Sequence, residues 1–154
     1  MTNAMCPALL RDHAGDRLAL IAASYARLLG RSLLAAGVDP IESLWSLPAV
    51  ILAHGTESDP LFFYGNRLAL DLFELTPEQI IVMPSRLSAE PLGREERACL
   101  LARVAENGFI DDYSGLRVSS TGRRFRIENA VVWNLLDEHG QLHGQAATFA
   151  LPKT

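Results

Sequence analysis

Cysteine is scarce in this 154-residue chain: only Cys6 and Cys99 occur, far apart and in no metal-ligand spacing. That excludes a disulfide scaffold and a zinc module, and it fits a reducing compartment in which Cys99 is an ordinary helix residue. Long apolar runs are missing too, with nothing approaching the roughly 18 residues that a membrane span requires. Met1-Thr2-Asn3 lacks the basic start of a signal peptide, so the cytoplasm is the expected location, with no membrane partner. Positive charge is not in excess. The net charge of −4 gives bulk electrostatics no grip on nucleic acid.

Catalytic signatures are absent as well. There is no glycine-rich phosphate loop, no nucleophile elbow with a Ser-His-Asp order, and no zinc pattern. His139 and His143 stand four apart, but a turn leading into a strand separates them, so no metal site is expected. Asp111 and Asp112 beside Tyr113 are neighbours on a strand and would point to opposite faces, which denies them a shared acid–base site.

What remains is the balance of one soluble globular domain, 49% hydrophobic and 21% charged. Its charge is uneven. Residues 49–112 carry five arginines against eleven acids, and residues 113–154 carry five bases against three acids. The simplest reading is a basic hairpin lying beside acidic helices.

Hydrophobic periodicity then orders the chain. Residues 1–11 read as a frayed lead-in. Leu18, Ile21, Tyr25, Leu28, Leu29 and Leu33 recur at steps of three or four, predicting an amphipathic helix from Asp16 to Gly37. Asp39-Pro40-Ile41-Glu42 has the form of a capping box and opens a short helix through Trp45. Residues 49–54 and 61–64 predict a hairpin, and Asn66 is placed to cap a helix running to Leu75. Thr76-Pro77-Glu78-Gln79 opens another helical turn that Pro84 stops; residues 84–93 read as loop. Arg94–Glu106 predicts a helix with Leu100, Leu101 and Val104 inward, closed at Asn107-Gly108. Two strands follow, meeting at Ser119-Ser120-Thr121-Gly122. In the second of them, Phe125, Ile127, Val131, Trp133 and Leu135 alternate onto one face, with Asn129 a polar gap; Arg124, Arg126, Glu128 and Asn134 take the other. Asp137–Gly140 turns the chain into a last strand over residues 141–149.

Two strands, a helical insert and three antiparallel strands make an α+β layout: a PAS-like five-stranded antiparallel sheet with helices on one face. An N-terminal helical extension (1–47) precedes the PAS-like domain (48–150). Particular residues sharpen this. Gly108-Phe109, Gly115, Ser119-Ser120, Gly122-Arg123, Glu128, Ala130-Val131 and Trp133 resemble the conserved stretch of the MEKHLA domain. That PAS-like domain ends the plant class III homeodomain–leucine-zipper proteins and also stands alone in bacteria. The upstream run from Phe63 to Asn66 and the segment from Pro84 to Pro91 resemble the bacterial members, so the likeness covers about residues 40–149. The hexapeptide that names the family is absent in literal form, its nearest counterpart being Ile51–His54, and no DNA-binding or zipper region is present. Nothing about DNA is carried over.

The resemblance implies a non-catalytic sensory or interaction module with room for a small molecule between sheet and helices. It does not supply that ligand. Covalent flavin chemistry is not expected, because no cysteine lies between Cys6 and Cys99. Haem held from the insert is not expected either, because no histidine lies between His54 and His139. The candidate pocket residues are Phe63, Asn66, Phe73, Arg86, Leu101, Phe125 and Trp133, with Arg86 placed to receive a carboxylate. Tyr25 and Leu29 on the first long helix are candidates for homodimer contact, and Arg124 and Arg126 for docking an unidentified protein. Two other readings compete: a small cone-shaped α+β enzyme of the isomerase or hydratase kind, and a domain whose interior is filled by its aromatic residues.

Overall fold

The computed structural model describes residues 5–89 and 91–152. Helix α1 (Ala8–Ala14) and helix α2 (Arg17–Leu29) come first. This corrects the frayed lead-in for the described residues. Leu10 is fully buried, Cys6 is in the core, and the Cys6 amide donates to the Glu42 carboxylate at 2.9 Å. Leu10, Ala14, Leu18, Ile21 and Tyr25, all buried, form one stripe that runs through both helices despite the break at Gly15-Asp16. Helix α2 is also shorter than predicted. Gly30 adopts the left-handed conformation at φ 72° and its amide bonds to Ala26 O, ending the helix before Leu33.

Helix α3 (Pro40–Ser46) starts where predicted, with Asp39 Oδ1 accepting from Ile41 N at 3.3 Å, but Glu42 does not complete the expected box because its carboxylate takes the Cys6 amide instead. Strands β1 (Val50–His54) and β2 (Phe62–Gly65) pair antiparallel. Helix α4 (Arg67–Phe73) is capped by Asn66, and α5 (Pro77–Ile80) by the reciprocal Thr76–Gln79 box. The stretch predicted as loop holds a 3-10 turn, Ser85–Ser88, and the start of helix α6 (Pro91–Asn107). Strands β3 (Phe109–Val118), β4 (Arg124–Leu136) and β5 (Leu142–Phe149) complete one sheet of order β2-β1-β5-β4-β3, every neighbouring pair antiparallel. The Ser119–Gly122 turn is lashed to the end of α4. Glu74 accepts from Ser119 Oγ at 2.6 Å and Thr121 Oγ1 at 2.5 Å, and Ser120 Oγ donates to the Glu74 carbonyl at 2.6 Å.

Strand β4 departs from the predicted alternation. Tyr113 pairs with Ala130 and Gly115 with Ile127, so two steps on β3 face three on β4. The extra residue is a β-bulge, and Asn129 beside it takes φ 53°, a conformation asparagine tolerates better than most residues. One inserted residue reverses every side chain beyond it. Phe125 and Ile127 therefore share a face with Ala130, Val132 and Asn134, while Val131, Trp133 and Leu135 turn to the opposite side. There Trp133 is fully buried, donates from Nε1 to Ile21 O at 3.1 Å, and meets the Tyr25 ring edge-on at 4.9 Å. Helices α4 and α6 cover the first face and α2 the second. A compensating register shift in β3 lies between Ile110 and Tyr113, where Asp111 and Asp112 are both exposed.

Candidate functional site

Between the first face of the sheet and helix α6 lies a cavity of about 60 Å³. Most of its wall is apolar: Leu52, Phe62, Phe73, Ile127, Val132 and Phe149. Helix α6 adds Arg97, Leu100 and Leu101, which share one helical face by their three- and four-residue spacing. Strand β3 adds Tyr113 and Arg117, two pleats apart and hence on one side. His54 and Gln145, partners across β1 and β5, close the polar end.

The polar groups are not balanced among themselves. Arg117 is only 7% exposed; its Nη2 donates to Tyr113 Oη at 3.0 Å and its Nη1 to Leu116 O at 2.7 Å. Arg97 donates from Nη2 to Ser85 Oγ at 2.7 Å. Among the described residues, no carboxylate comes within ion-pair distance of either guanidinium. Burial, followed by the positive charge of Arg117, brings the pKa of Arg97 down to about 10. Burial is also the main force depressing the pKa of His54. His54 Nδ1 lies 3.0 Å from the Gly55 carbonyl, which can only accept, so the proton sits on Nδ1 and Nε2 is left as a bare acceptor. That Nε2 is buried without a partner. So is Gln145 Oε1, although the amide Nε2 of Gln145 donates to Asn134 Oδ1 at 3.0 Å. Gly115 keeps Tyr113 in place: a Cβ there would run into the Tyr113 hydroxyl and into Glu96 Oε1.

Of the residues singled out from sequence, Phe73 and Leu101 line this cavity, and Phe125 backs Phe73 edge-on at 5.2 Å. Trp133 does not; the bulge puts it under α2, which corrects its place among the pocket candidates. Phe63 is buried away from the cavity, with the Arg17 guanidinium 4.0 Å from its ring centre. Arg86 is exposed and bonds Asp59 through Nε at 3.1 Å, so it faces a carboxylate of its own chain. Asn66 is a structural hub: Oδ1 accepts from Ile51 N and Ala69 N, both at 3.1 Å, and Nδ2 donates to Leu44 O at 3.0 Å and Ala49 O at 2.8 Å.

On α2, Tyr25 is buried against the sheet and Leu29 is half-buried, whereas Arg124 and Arg126 are exposed on β4. His143 pairs with Asp137 at 2.9 Å and His139 stands apart, exposed. No metal-holding group of side chains occurs among the described residues. The sequence reading missed Arg97, Arg117, His54 and Gln145. The available signal was Arg117, a charged residue on the same strand face as Tyr113 and Gly115.

A five-stranded antiparallel sheet whose β2–β3 connection supplies the covering helices, with a cavity beneath the last of them, defines a PAS-like domain; the cone-shaped alternative is not the fold adopted. The PAS domain of a protein from Colwellia psychrerythraea superposes with a TM-score of 0.62 at 16% identity, over 73% of this chain and 93% of that one. A light-oxygen-voltage domain studied with a flavin analogue gives the same TM-score at 12% identity, over 77% and 87%. The family model for the MEKHLA domain matches residues 16–151. The chain belongs to the MEKHLA domain family, and the matched stretch takes in α2 and α3 as well as the sheet. It is 30% identical over 100 residues to the homeobox-leucine zipper protein HOX29 of Oryza sativa subsp. japonica, which covers 65% of this chain and 12% of the relative. It is 28% identical over 138 residues to REVOLUTA of Arabidopsis thaliana, covering 84% and 16%. The chain thus spans less than one fifth of the length of these plant relatives. No helix among the described residues is long and apolar enough to cross a membrane.

Proposed function

We propose that this domain is a non-catalytic sensory module that takes up a small molecule in the cavity between the sheet and α6. One observation carries the reading: His54 Nε2 and Gln145 Oε1 are buried acceptors without partners among the residues that line a mostly apolar cavity. Leaving such groups unpaired costs about 1–3 kcal/mol each, and a polar occupant removes that cost. Strand β4 is suited to report occupancy. Ala130 and Val132 wall the cavity, and Trp133, next in sequence to Val132, holds α2 on the other face.

Native mass spectrometry of protein freshly purified from cells, with its absorbance spectrum, tests uptake. The comparison is with Ala147→Leu, which fills the cavity from β5. A bound mass present in the parent chain and lost in the variant supports the reading. Identical ligand-free spectra, with no added small molecule shifting the cavity's NMR resonances, refute it. Self-association through α2 belongs to the same proposal, with Leu29 and the outward positions making the contact, since Tyr25 is committed to the sheet. A monomeric mass in sedimentation removes that element alone.

A further inference from the structure

We infer that the cavity's ligand is a small hydroxycarboxylate, its carboxylate held by Arg97 and Arg117 and its hydroxyl donated to one of the two buried acceptors, His54 Nε2 or Gln145 Oε1. This rests on the reading that the cavity takes a ligand, and it names that ligand's chemistry. The argument begins with charge. Two guanidiniums line one small cavity from different elements, α6 and β3, and among the described residues neither has a carboxylate partner. Arg117 is 7% exposed, so water compensates little of its charge. A buried cation in that position calls for an anion. Of the acids near by, Asp59 is paired with Arg86, Glu57 accepts from Leu61 N at 3.1 Å, and the exposed Glu96, though its Oε1 lies beside Gly115, makes no ion pair with either guanidinium.

Geometry keeps donors available. A guanidinium carries five N–H groups. Arg117 spends bonds on Tyr113 Oη and Leu116 O, and Arg97 spends one on Ser85 Oγ, which fixes each side chain and leaves N–H groups free. Planar forks of this kind suit a carboxylate.

The far end has the opposite need. His54 Nε2 and Gln145 Oε1 only accept, and Gln145 is 8% exposed. The occupant must therefore donate there as well as accept beside the arginines. A hydroxyl does so for one of the two acceptors without charge. An ammonium would add a third positive charge to a cavity that already holds two, so an amino acid fits less well. Size restricts the rest. About 60 Å³ is well below the ~150 Å³ of a cavity that binds benzene, so the carbon skeleton is short. Leu52, Phe73 and Phe149 offer it an apolar wall.

The test is NMR titration of the whole chain with three probes of one skeleton: lactate, propionate without the hydroxyl, and lactamide without the charge. Lactate is expected to bind at least 10-fold more tightly than lactamide, the smaller end of what one charge-assisted hydrogen bond contributes, and about 3-fold or more tightly than propionate, which lacks one neutral hydrogen bond. Arg97→Gln and Arg117→Gln should each erase the preference for lactate over lactamide. Arg97 is half-buried, so Arg97→Gln keeps the test open should Arg117→Gln fail to fold. If lactamide binds as well as lactate, the cavity is a ligand site and the anion assignment is wrong. If propionate matches lactate, the role given to His54 and Gln145 is wrong. If none of the three shifts a cavity resonance while a different mass co-purifies, uptake stands and the hydroxycarboxylate is refuted; with no co-purifying mass either, both readings fall.

Discussion

Replacing Asn66 by alanine removes a side chain whose four hydrogen-bonding positions are all used, at a site with no solvent exposure. A helix cap alone is worth about 1 kcal/mol. Here the loss is larger, because Ile51 N and Ala69 N lose their acceptor together and Ala49 O loses a donor. Leu44 O keeps a long 3.4 Å bond from Leu47 N, so it suffers less. At about 1–3 kcal/mol for each buried group left unpaired, two amides and one carbonyl span about 3–9 kcal/mol, and water entering the vacated space holds the loss toward the low end, roughly 4 kcal/mol. In a domain of this size that lowers Tm by about 8–16 °C. Urea unfolding followed by circular dichroism measures it. A loss under about 1 kcal/mol would mean that Asn66 is only a cap and that the α3–β1–α4 junction is held by packing.

Asn66→Asp separates acceptors from donors. It keeps both amide bonds but sets a carboxylate against the Leu44 and Ala49 carbonyls. The folded state would then raise the carboxyl's pKa above its unfolded value, so the variant's stability is greatest at acid pH and is lost as pH rises through the folded pKa. Alanine shows no such dependence. A pH-independent difference between the two variants contradicts the hydrogen-bond assignment.

Trp133→Ala should cost about 4 kcal/mol in the same assay, as for aromatic truncation in a packed core; a loss under about 1 kcal/mol would place the ring beside open space instead. Gly115→Ala should displace the Tyr113 ring and cost about 1–3 kcal/mol, read as a shift of the Tyr113 ring resonances; unchanged resonances refute the close approach. The His143 contact, then the Gln141 amide, lower the Asp137 pKa from 3.8 to about 2. Its stabilising contribution is therefore present above pH 4 and lost as pH falls towards 2, and an NMR titration of Asp137 with a midpoint near 4 would contradict the pairing. Burial lifts the Cys6 thiol to about 11, whereas Cys99 is exposed; a thiol reagent on native protein should label Cys99 and spare Cys6 until unfolding, and equal labelling overturns the buried placement.

The architecture was legible because its punctuation is local. Asp39, Asn66 and Thr76 announce helix starts through side-chain oxygens that bond amides two or three residues on, and Ser119–Gly122 announces a hairpin. None of these depends on distant contacts. The bulge does. Asn129 reads equally well as a polar step in a regular strand, and only pairing with β3 shows that one residue too many is present. Counting in twos past Asn129 therefore puts Trp133 on the cavity face, whereas the bulge turns it toward α2. Arg97 and Arg117 escaped for a related reason. A helix arginine and a strand arginine are ordinarily solvated, and nothing local says that α6 lies across β3 so as to bring both to one cavity. Arg86 stands out in the sequence instead, between Pro84 and Pro91, but Asp59 already occupies it.

The bulge also explains how one strand serves two layers with different needs. Before Asn129, β4 exposes Arg124, Arg126 and Glu128 and buries Ile127; beyond it, the residues from Ala130 to Leu135 are all buried. A strand covered on both faces loses the alternation that a half-solvated one keeps. The change from one regime to the other coincides with the point where α2 begins to cover the second face. Without the extra residue, the indole would fall on the cavity side, where the space is too small for it, and Val132 would face Ile21 without the indole's hydrogen bond. Asn134 then completes the layer on the cavity side: it accepts from Gln145 and donates from Nδ2 to Val104 O at 3.2 Å, tying β5, β4 and α6 together at the cavity's polar end. Under the proposed uptake of a small molecule, movement of Gln145 toward an occupant would pull on the same strand that carries Trp133, one residue from Asn134, and through it on α2.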